Sequence, residues 1–181
     1  MTQNIRPFQH KSPVIGSSVY IDPGAMVIGD VALGDDVSIW PMAVIRGDVN
    51  RITIGDRTNI QDAAVLHVTH DGPYTPGGKP LIIGNDITIG HGAILHACTI
   101  ADYCLIGIRS VILDGAYIED HVMLAAGSLV PPGKHLKKGY LYLGNPAKEM
   151  RKLTSAEWDN LEYSAAHYVN LKNKYLDAKN I

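Results

Sequence analysis

Eight histidines are spread along the 181 residues, and three of them occupy places that set them apart. His67 follows Leu66 and His96 follows Leu95, each leucine being one beat of an aliphatic repeat, while His91 stands two residues beyond Ile89. The spacings between the three are 24 and 5 residues. If the repeat stacks Leu66 against Leu95, the two following imidazoles project outward side by side, about one strand spacing (~4.8 Å) apart. That separation suits two nitrogen ligands of one tetrahedral ion with Zn–N bonds of about 2.0 Å. Three imidazoles with a fourth position open are what a catalytic zinc requires. His91 lies round a corner from the other two, so within one chain it points elsewhere. A cyclic trimer resolves this by bringing His91 of one copy to the His67/His96 pair of the next. The competing reading needs no metal: outward histidines simply hydrogen-bond across an interface.

The element that must position these residues is a six-residue beat. Ile15, Ile21, Val27, Leu33, Ile39 and Ile45 keep it; after three extra residues Ile54, Ile60 and Leu66 resume it. A long insert follows, then Ile83, Ile89 and Leu95, and after one dropped residue Ile100, Ile106, Ile112, Ile118, Leu124 and Val130. Glycine or a small or acidic residue often comes next, as at Gly34, Gly55, Gly84, Gly90 and Gly107. A period of six belongs neither to an α-helix nor to an isolated strand. It predicts a parallel β-helix in which each hexad is one short strand and a corner, three hexads make a triangular coil, and aliphatic ladders fill about six coils. Glycines are expected to permit the sharp corners.

This divides the chain into an N-terminal arm (1–14), a β-helix (15–135) with a polar, Gly- and Pro-rich loop insert at 68–80, and a segment from 136 to 181. That last segment is read as a turn-rich return followed by a C-terminal helix on the outside of a prism. Thr154-Ser155-Ala156-Glu157 has the form of a capping box. Trp158, Leu161, Ala165, Tyr168, Lys172 and Tyr175 then follow helical spacing to about Lys179. Trp40 and Pro41 are placed on an outer face or interface.

Composition narrows the function. Lys plus Arg is 16 and Asp plus Glu is 18, giving a net charge of −2, so nothing advertises nucleic-acid binding or an anionic membrane surface. The 2 cysteines cannot form a disulfide framework, and no apolar run approaches the ~18 residues of a membrane span. A cytoplasmic protein is expected. With a single phenylalanine among 181 residues, the core must be aliphatic.

The segments Ile45-Arg46-Gly47-Asp48, Thr58-Asn59-Ile60-Gln61-Asp62, Leu66-His67 and Ile89-Gly90-His91-Gly92-Ala93-Ile94-Leu95-His96 resemble the signature of the gamma-class carbonic anhydrases. With Leu143-Gly144-Asn145-Pro146-Ala147-Lys148 and the C-terminal helix, residues 5–178 are similar to the short bacterial, YrdA-like branch of that family. The resemblance implies a left-handed β-helix and a homotrimer with metal sites at its subunit interfaces. Zn2+ would be held by His67, His96 and a neighbour's His91, although imidazoles also accept Fe2+ or Co2+. It implies that a zinc hydroxide attacks CO2 to give bicarbonate. Gln61 would hydrogen-bond the hydroxide or the substrate, Arg46 and Asp48 would pair at the interface, and Asp62 and Asn59 would support ligand geometry. The chain departs from the archaeal members, which carry a glutamate after the aspartate that matches Asp48 and an acidic loop with a shuttling glutamate. Here Val49 stands at the first place and the insert holds no glutamate. His70 is the substitute proton shuttle, and turnover is expected to be slow or buffer-dependent. Tyr163, on the terminal helix, is placed near the site.

Two rival roles remain open at this stage. Hexapeptide acyltransferases share the ladders and bind acyl-coenzyme A between prisms, using one histidine as general base; a thioesterase is a related option. A non-catalytic, metal-bound trimeric scaffold is the other. Cys98 and Cys104 read as small buried filling rather than nucleophiles.

Overall fold

The computed structural model describes residues 4–178 and is a parallel β-solenoid carrying one C-terminal helix, Ser155–Ala178. Each hexad forms a strand of two or three residues whose aliphatic side chain points inward, and the chain then turns a corner. Three faces result. The first carries Tyr20–Ile21, Ser38–Ile39, Asn59–Ile60, Thr88–Ile89, Leu105–Ile106, Met123–Leu124 and Tyr140–Gly144, and the expected turn-rich return closes it as an antiparallel strand, Ala147–Lys152. The second, called here the site face, includes Val65–His67, Ile94–His96, Val111–Ile112 and Leu129–Val130. The third includes Leu81–Ile83, Thr99–Ile100 and Tyr117–Ile118. Met26–Leu33 and Val44–Ile54 run through a corner and serve both the second and third faces.

Each face is seven parallel strands deep, one more than the beat alone predicts. Ile5 pairs with Val27 at one end of the site face, while Leu136 and Tyr142 extend the other two ladders. The ladders therefore begin inside the expected N-terminal arm and end beyond residue 135. The beat traced in the sequence has Val130 as its last position, just ahead of Pro131-Pro132-Gly133, but these residues lie in a corner, where Pro131 supplies a carbonyl to the Lys134 N–H and its own missing donor is not needed. The interior is a continuous stack of buried Ile, Leu, Val and Ala, including Ile60, Leu66, Ile89 and Leu95.

Glycines do less at the corners than expected and more between the coils. Three residues past most inward positions the backbone is left-handed: Gly92, Gly115, Gly127 and Gly133 adopt it at φ 65–69°, and so do the non-glycine residues Asp36, Arg57, Ala63, Asp86, Tyr103, Arg109 and His121 at φ 53–58°. The glycines just after the inward residue are instead needed for close approach. A Cβ on Gly34 would lie 2.3 Å from Asp56 Oδ1, and one on Gly107 would lie 2.4 Å from the Ala126 nitrogen. The room left open admits a ladder of side-chain caps along one corner. Asp35 Oδ1 accepts from the Ser17 N–H (2.7 Å), Asp56 Oδ1 from Asp35 (2.9 Å), Asn85 Oδ1 from Asp56 (2.8 Å) and Asp102 Oδ1 from Asn85 (2.7 Å). The recurring Gly-Asp/Asn pair is thus a device for satisfying corner amides from the coil above.

The terminal helix packs along the first face of its own prism, over Tyr20–Ile21, Ser38–Ile39, Asn59–Ile60 and Thr88–Ile89. Thr154 and Glu157 form the capping box: the Thr154 N–H donates to Glu157 Oε2 at 2.9 Å and the Glu157 N–H to Thr154 Oγ1 at 3.3 Å. Arg151 clamps the same carboxylate with two bonds of 2.7 and 2.8 Å. Leu161, Ala165 and Lys172 are buried. Lys172, fully enclosed, pairs with Asp36 at 2.8 Å. Trp40 is not an outer decoration; it is buried beneath the helix, edge-on to Tyr168 and Tyr175. Lys179, the expected last helical residue, lies outside the described residues. Among the described residues no helix is long and apolar enough to cross a membrane.

Candidate metal centre

Two corners bound the site face, and both carry histidine. At the trailing corner, Val65–His67 and Ile94–His96 pair in parallel with His67 directly opposite His96, the register that the beat predicts. Inward Leu66 and Leu95 anchor the strands, so the next side chains must point out. The rings are 5.2 Å apart between centroids, and His67 Nδ1 lies 3.2 Å from His96 Nε2. Their other nitrogens are committed. His67 Nε2–H donates to Asp48 Oδ1 (3.0 Å), and His96 Nδ1–H donates to Asp114 Oδ1 (2.6 Å).

Both carboxylates are themselves held. Arg46 pairs with Asp48 Oδ2, within the same chain, and the Thr69 hydroxyl donates to Asp114 Oδ2. Burial pulls the Asp48 carboxyl upward, but the bonds from His67 and Arg46 outweigh it and leave Asp48 below the ordinary carboxylate range. Asp114 behaves alike: burial raises it, and the bonds from Thr69 and His96 bring it below its usual value. Ionised carboxylates only accept, which fixes both tautomers and turns two imidazole lone pairs toward one point.

The donor set fits a metal. Two bare acceptors 3.2 Å apart repel unless a proton or a cation sits between them. Nitrogens bound at 2.0–2.1 Å to one tetrahedral ion stand about 3.3–3.4 Å apart. A carboxylate on the far nitrogen of each ring is the usual support for metal-binding histidine.

The leading corner holds the third imidazole. His91 follows Thr88–Ile89 by two residues, and its Nδ1–H donates to Asp62 Oδ2 at 2.9 Å, leaving Nε2 free. The His91 side chain is 48% exposed against 20% for His67. Gln61 and Asn59 are buried on this side. The Asn59 amide donates to the Ile87 carbonyl (3.2 Å) and Thr88 Oγ1 (3.0 Å), and Asn59 Oδ1 accepts from Gln61 Nε2 (3.1 Å).

One chain therefore brings His67, His96, Arg46 and Asp48 together at one corner, and His91, Asp62, Gln61 and Asn59 at the other. Among the described residues no three His, Cys, Asp or Glu side chains are placed to share a metal. His70 is exposed on the insert and bonds to none of the three histidines. Tyr163 is exposed and stacks on His167. Val68, counted within the loop insert, is buried in the core. The sequence reading missed Asp114 and Thr69; the only signal was that Asp114 lies five residues past the leading-corner position of its turn, as His96 does from His91. Cys98 and Cys104 are buried, and burial pushes both thiols up to about 12, which removes them as nucleophiles.

Comparison with known proteins agrees with this architecture. Residues 12–47 match the family described as bacterial transferase hexapeptide (six repeats). The chain is 54% identical over 180 residues to Protein YrdA of Escherichia coli, covering 99% of this chain and 98% of the relative. It is 41% identical over 158 residues to a probable carbonic anhydrase of Methanocaldococcus jannaschii, covering 87% and 95%. Among solved structures, a hexapeptide transferase family protein from Anaplasma phagocytophilum superposes with a TM-score of 0.88 at 42% identity, covering 97% and 99%.

Proposed function

Because the chain belongs to the gamma-class carbonic anhydrase family, in its YrdA-like branch, we propose that it hydrates CO2 reversibly at metal centres shared between copies in a homotrimer. His67 and His96 of one copy and His91 of the next would hold the ion. The observation that carries this reading is the common state of the three rings: each has one nitrogen tied to an aspartate and the other uncommitted, and two of the free nitrogens already converge to 3.2 Å.

The site face supports the shared arrangement. Its outward positions, Met26, Val44, Val65, Ile94, Val111 and Leu129, form an aliphatic ladder that the terminal helix leaves uncovered. A second copy of this chain is the occupant that fits, because the two edges of the ladder carry unlike half-sites. Unlike edges meet head to tail and close into a ring.

A bound zinc ion would supply Lewis acidity, bringing the pKa of a coordinated water to about 7. The chain's own residues do the rest. Asp48, Asp114 and Asp62 hold the three imidazoles in the ligating tautomer, and Arg46 keeps Asp48 charged. Gln61, steadied by Asn59, keeps its carbonyl oxygen free to orient the attacking water. Val65 and Ile94, 38% and 42% exposed, give CO2 an apolar floor that does not hold bicarbonate. His70 on the insert passes the proton to buffer, which makes turnover buffer-dependent. Iron or cobalt would fit the same imidazoles.

The hexapeptide-transferase description of its relatives favours a second reading, acyl transfer from acyl-coenzyme A with a histidine as general base. A third is a metal-bound scaffold without catalysis. Stopped-flow CO2 hydration by the zinc- and iron-loaded protein, beside a panel of acyl-coenzyme A esters, separates them. CO2 hydration that disappears in His67→Ala supports the proposal. Ester turnover with no CO2 hydration contradicts it, as does chemical silence in a metal-loaded trimer.

A further inference from the structure

Arg109 occupies the leading corner one turn above His91, and its N–H donates to the His91 carbonyl at 2.9 Å. It adopts φ +55°, a conformation that costs a non-glycine residue energy, and its Cγ packs over Gly92. The guanidinium is exposed and has no ion-pair partner among the described residues. Asp114 is its counterpart at the trailing corner. That carboxylate holds His96 and Thr69, its side chain is only 31% exposed, and no lysine or arginine pairs with it among the described residues. Lys79 reaches Gly115 next door without forming such a pair.

These two residues stand at the same two corners of the site face as the histidines. His91 and His96 lie in one turn, five residues apart; Arg109 and Asp114 lie in the next turn, also five apart. The strand register steps by 17 residues from one turn to the other, Leu95 facing Ile112 and Ile89 facing Ile106, so Arg109 and Asp114 each stand one residue beyond the places of His91 and His96, at the same two corners. A closed ring has rotation but no rise, so residues at the same level meet. The operation that brings His91 to a neighbour's His96 brings the leading corner of the next turn, which carries Arg109, against that neighbour's trailing corner, which carries Asp114.

We infer that Arg109 forms an ion pair with Asp114 of the next copy, locking the ring together and fixing the carboxylate that orients His96. This rests on the shared-site reading above. Arg109 is a positioning residue, acting on the ligand only through Asp114. It supplies the cation that Asp114 lacks among the described residues of its own chain.

The test is a double-mutant cycle read by dilution, with the oligomer's dissociation measured by analytical ultracentrifugation on the full chain. Arg109→Gly suits the left-handed corner, so the fold should persist. It should raise the dissociation constant about tenfold at low salt, and less at high salt. Arg109→Lys should fall between, because the charge remains and the fork is lost. In the Asp114→Asn background, Arg109→Gly should add less than about twofold. The same cycle should show zinc leaving faster from Arg109→Gly than from the parent oligomer. An intact oligomer in which Arg109→Gly changes nothing, or acts equally with and without Asp114, overturns the pair while leaving the shared histidine site standing. A parent protein that sediments as a monomer at every concentration overturns the shared site, and the ion pair with it.

Discussion

The two corners of the site face are built from the same strand pattern and finish differently. The trailing corner stacks two imidazoles from successive turns, grips each with a carboxylate, and backs those carboxylates with Arg46 and Thr69. The leading corner offers one half-exposed imidazole on one aspartate, with Gln61 and Asn59 buried beside it. One corner has convergence without a third ligand, and the other has a ligand without convergence. On the proposed reading, a chain that carries both halves on opposite edges of one uncovered apolar face is completed by its own copy.

If that contrast is right, the largest effect comes from removing one ligand at either corner. His91→Ala should lose metal as completely as His67→Ala, falling from about one ion per chain to near zero by elemental analysis. Retention of metal in His91→Ala alone would reduce the site to the trailing corner. The carboxylates come next. Asp62→Asn and Asp114→Asn should each weaken metal affinity about 10- to 100-fold in a competitive chelator titration. Similar losses at both corners would show that the exposed half is as necessary as the enclosed one.

Packing beneath the corners should separate fold from site. Leu66→Ala, under the histidine pair, and Ile89→Ala, under the lone one, should each cost about 2–5 kcal/mol in chemical denaturation, since both inward side chains are fully buried. Gly34→Ala, far from either histidine corner, should cost about 1–3 kcal/mol by forcing a Cβ into Asp56. Its metal content per folded chain should be unchanged.

The smallest effect concerns pH. The bonds from Arg151 and from the Thr154 N–H hold Glu157 at about 2, well below the ordinary glutamate value. Its folded pKa is depressed, so its contribution is fully present above the unfolded value of about 4.3 and fades as pH falls toward 2. Glu157→Gln should flatten the acid limb of the melting curve over that window and leave both corners' metal binding at neutral pH untouched.

Much of this architecture is legible from one sequence because the six-residue beat is a direct record of which side chains face inward. That beat also set Leu66 on Leu95, and so His67 on His96. It runs on through Leu136 and Tyr142, where the prolines disguise an ordinary corner as an ending. Ile5 was hidden because the short turn at Phe8 and Lys11 puts it out of step with the beat. Gly92, Gly115, Gly127 and Gly133 take left-handed corners as expected, but a pattern of residue types does not distinguish these from glycines such as Gly34 and Gly107 that let a neighbour in. At the site, the histidines stand out by type and spacing. Asp114 does not, because an aspartate before a glycine looks like any turn until the coil below supplies Thr69 and His96.

The central claim is that no single chain owns a complete centre, and mixing two defective chains tests it most directly. His91→Ala and His67→Ala are each dissociated, combined in equal amounts, reassembled, and assayed for bound zinc beside unmixed controls. Random assembly into rings places an intact His91 opposite an intact His67/His96 pair at about one seam in four. Zinc rising from near zero to about a quarter of the parent's content is the predicted result. Zinc staying at the level of the unmixed variants, in a preparation shown by mass to have exchanged subunits, would contradict it.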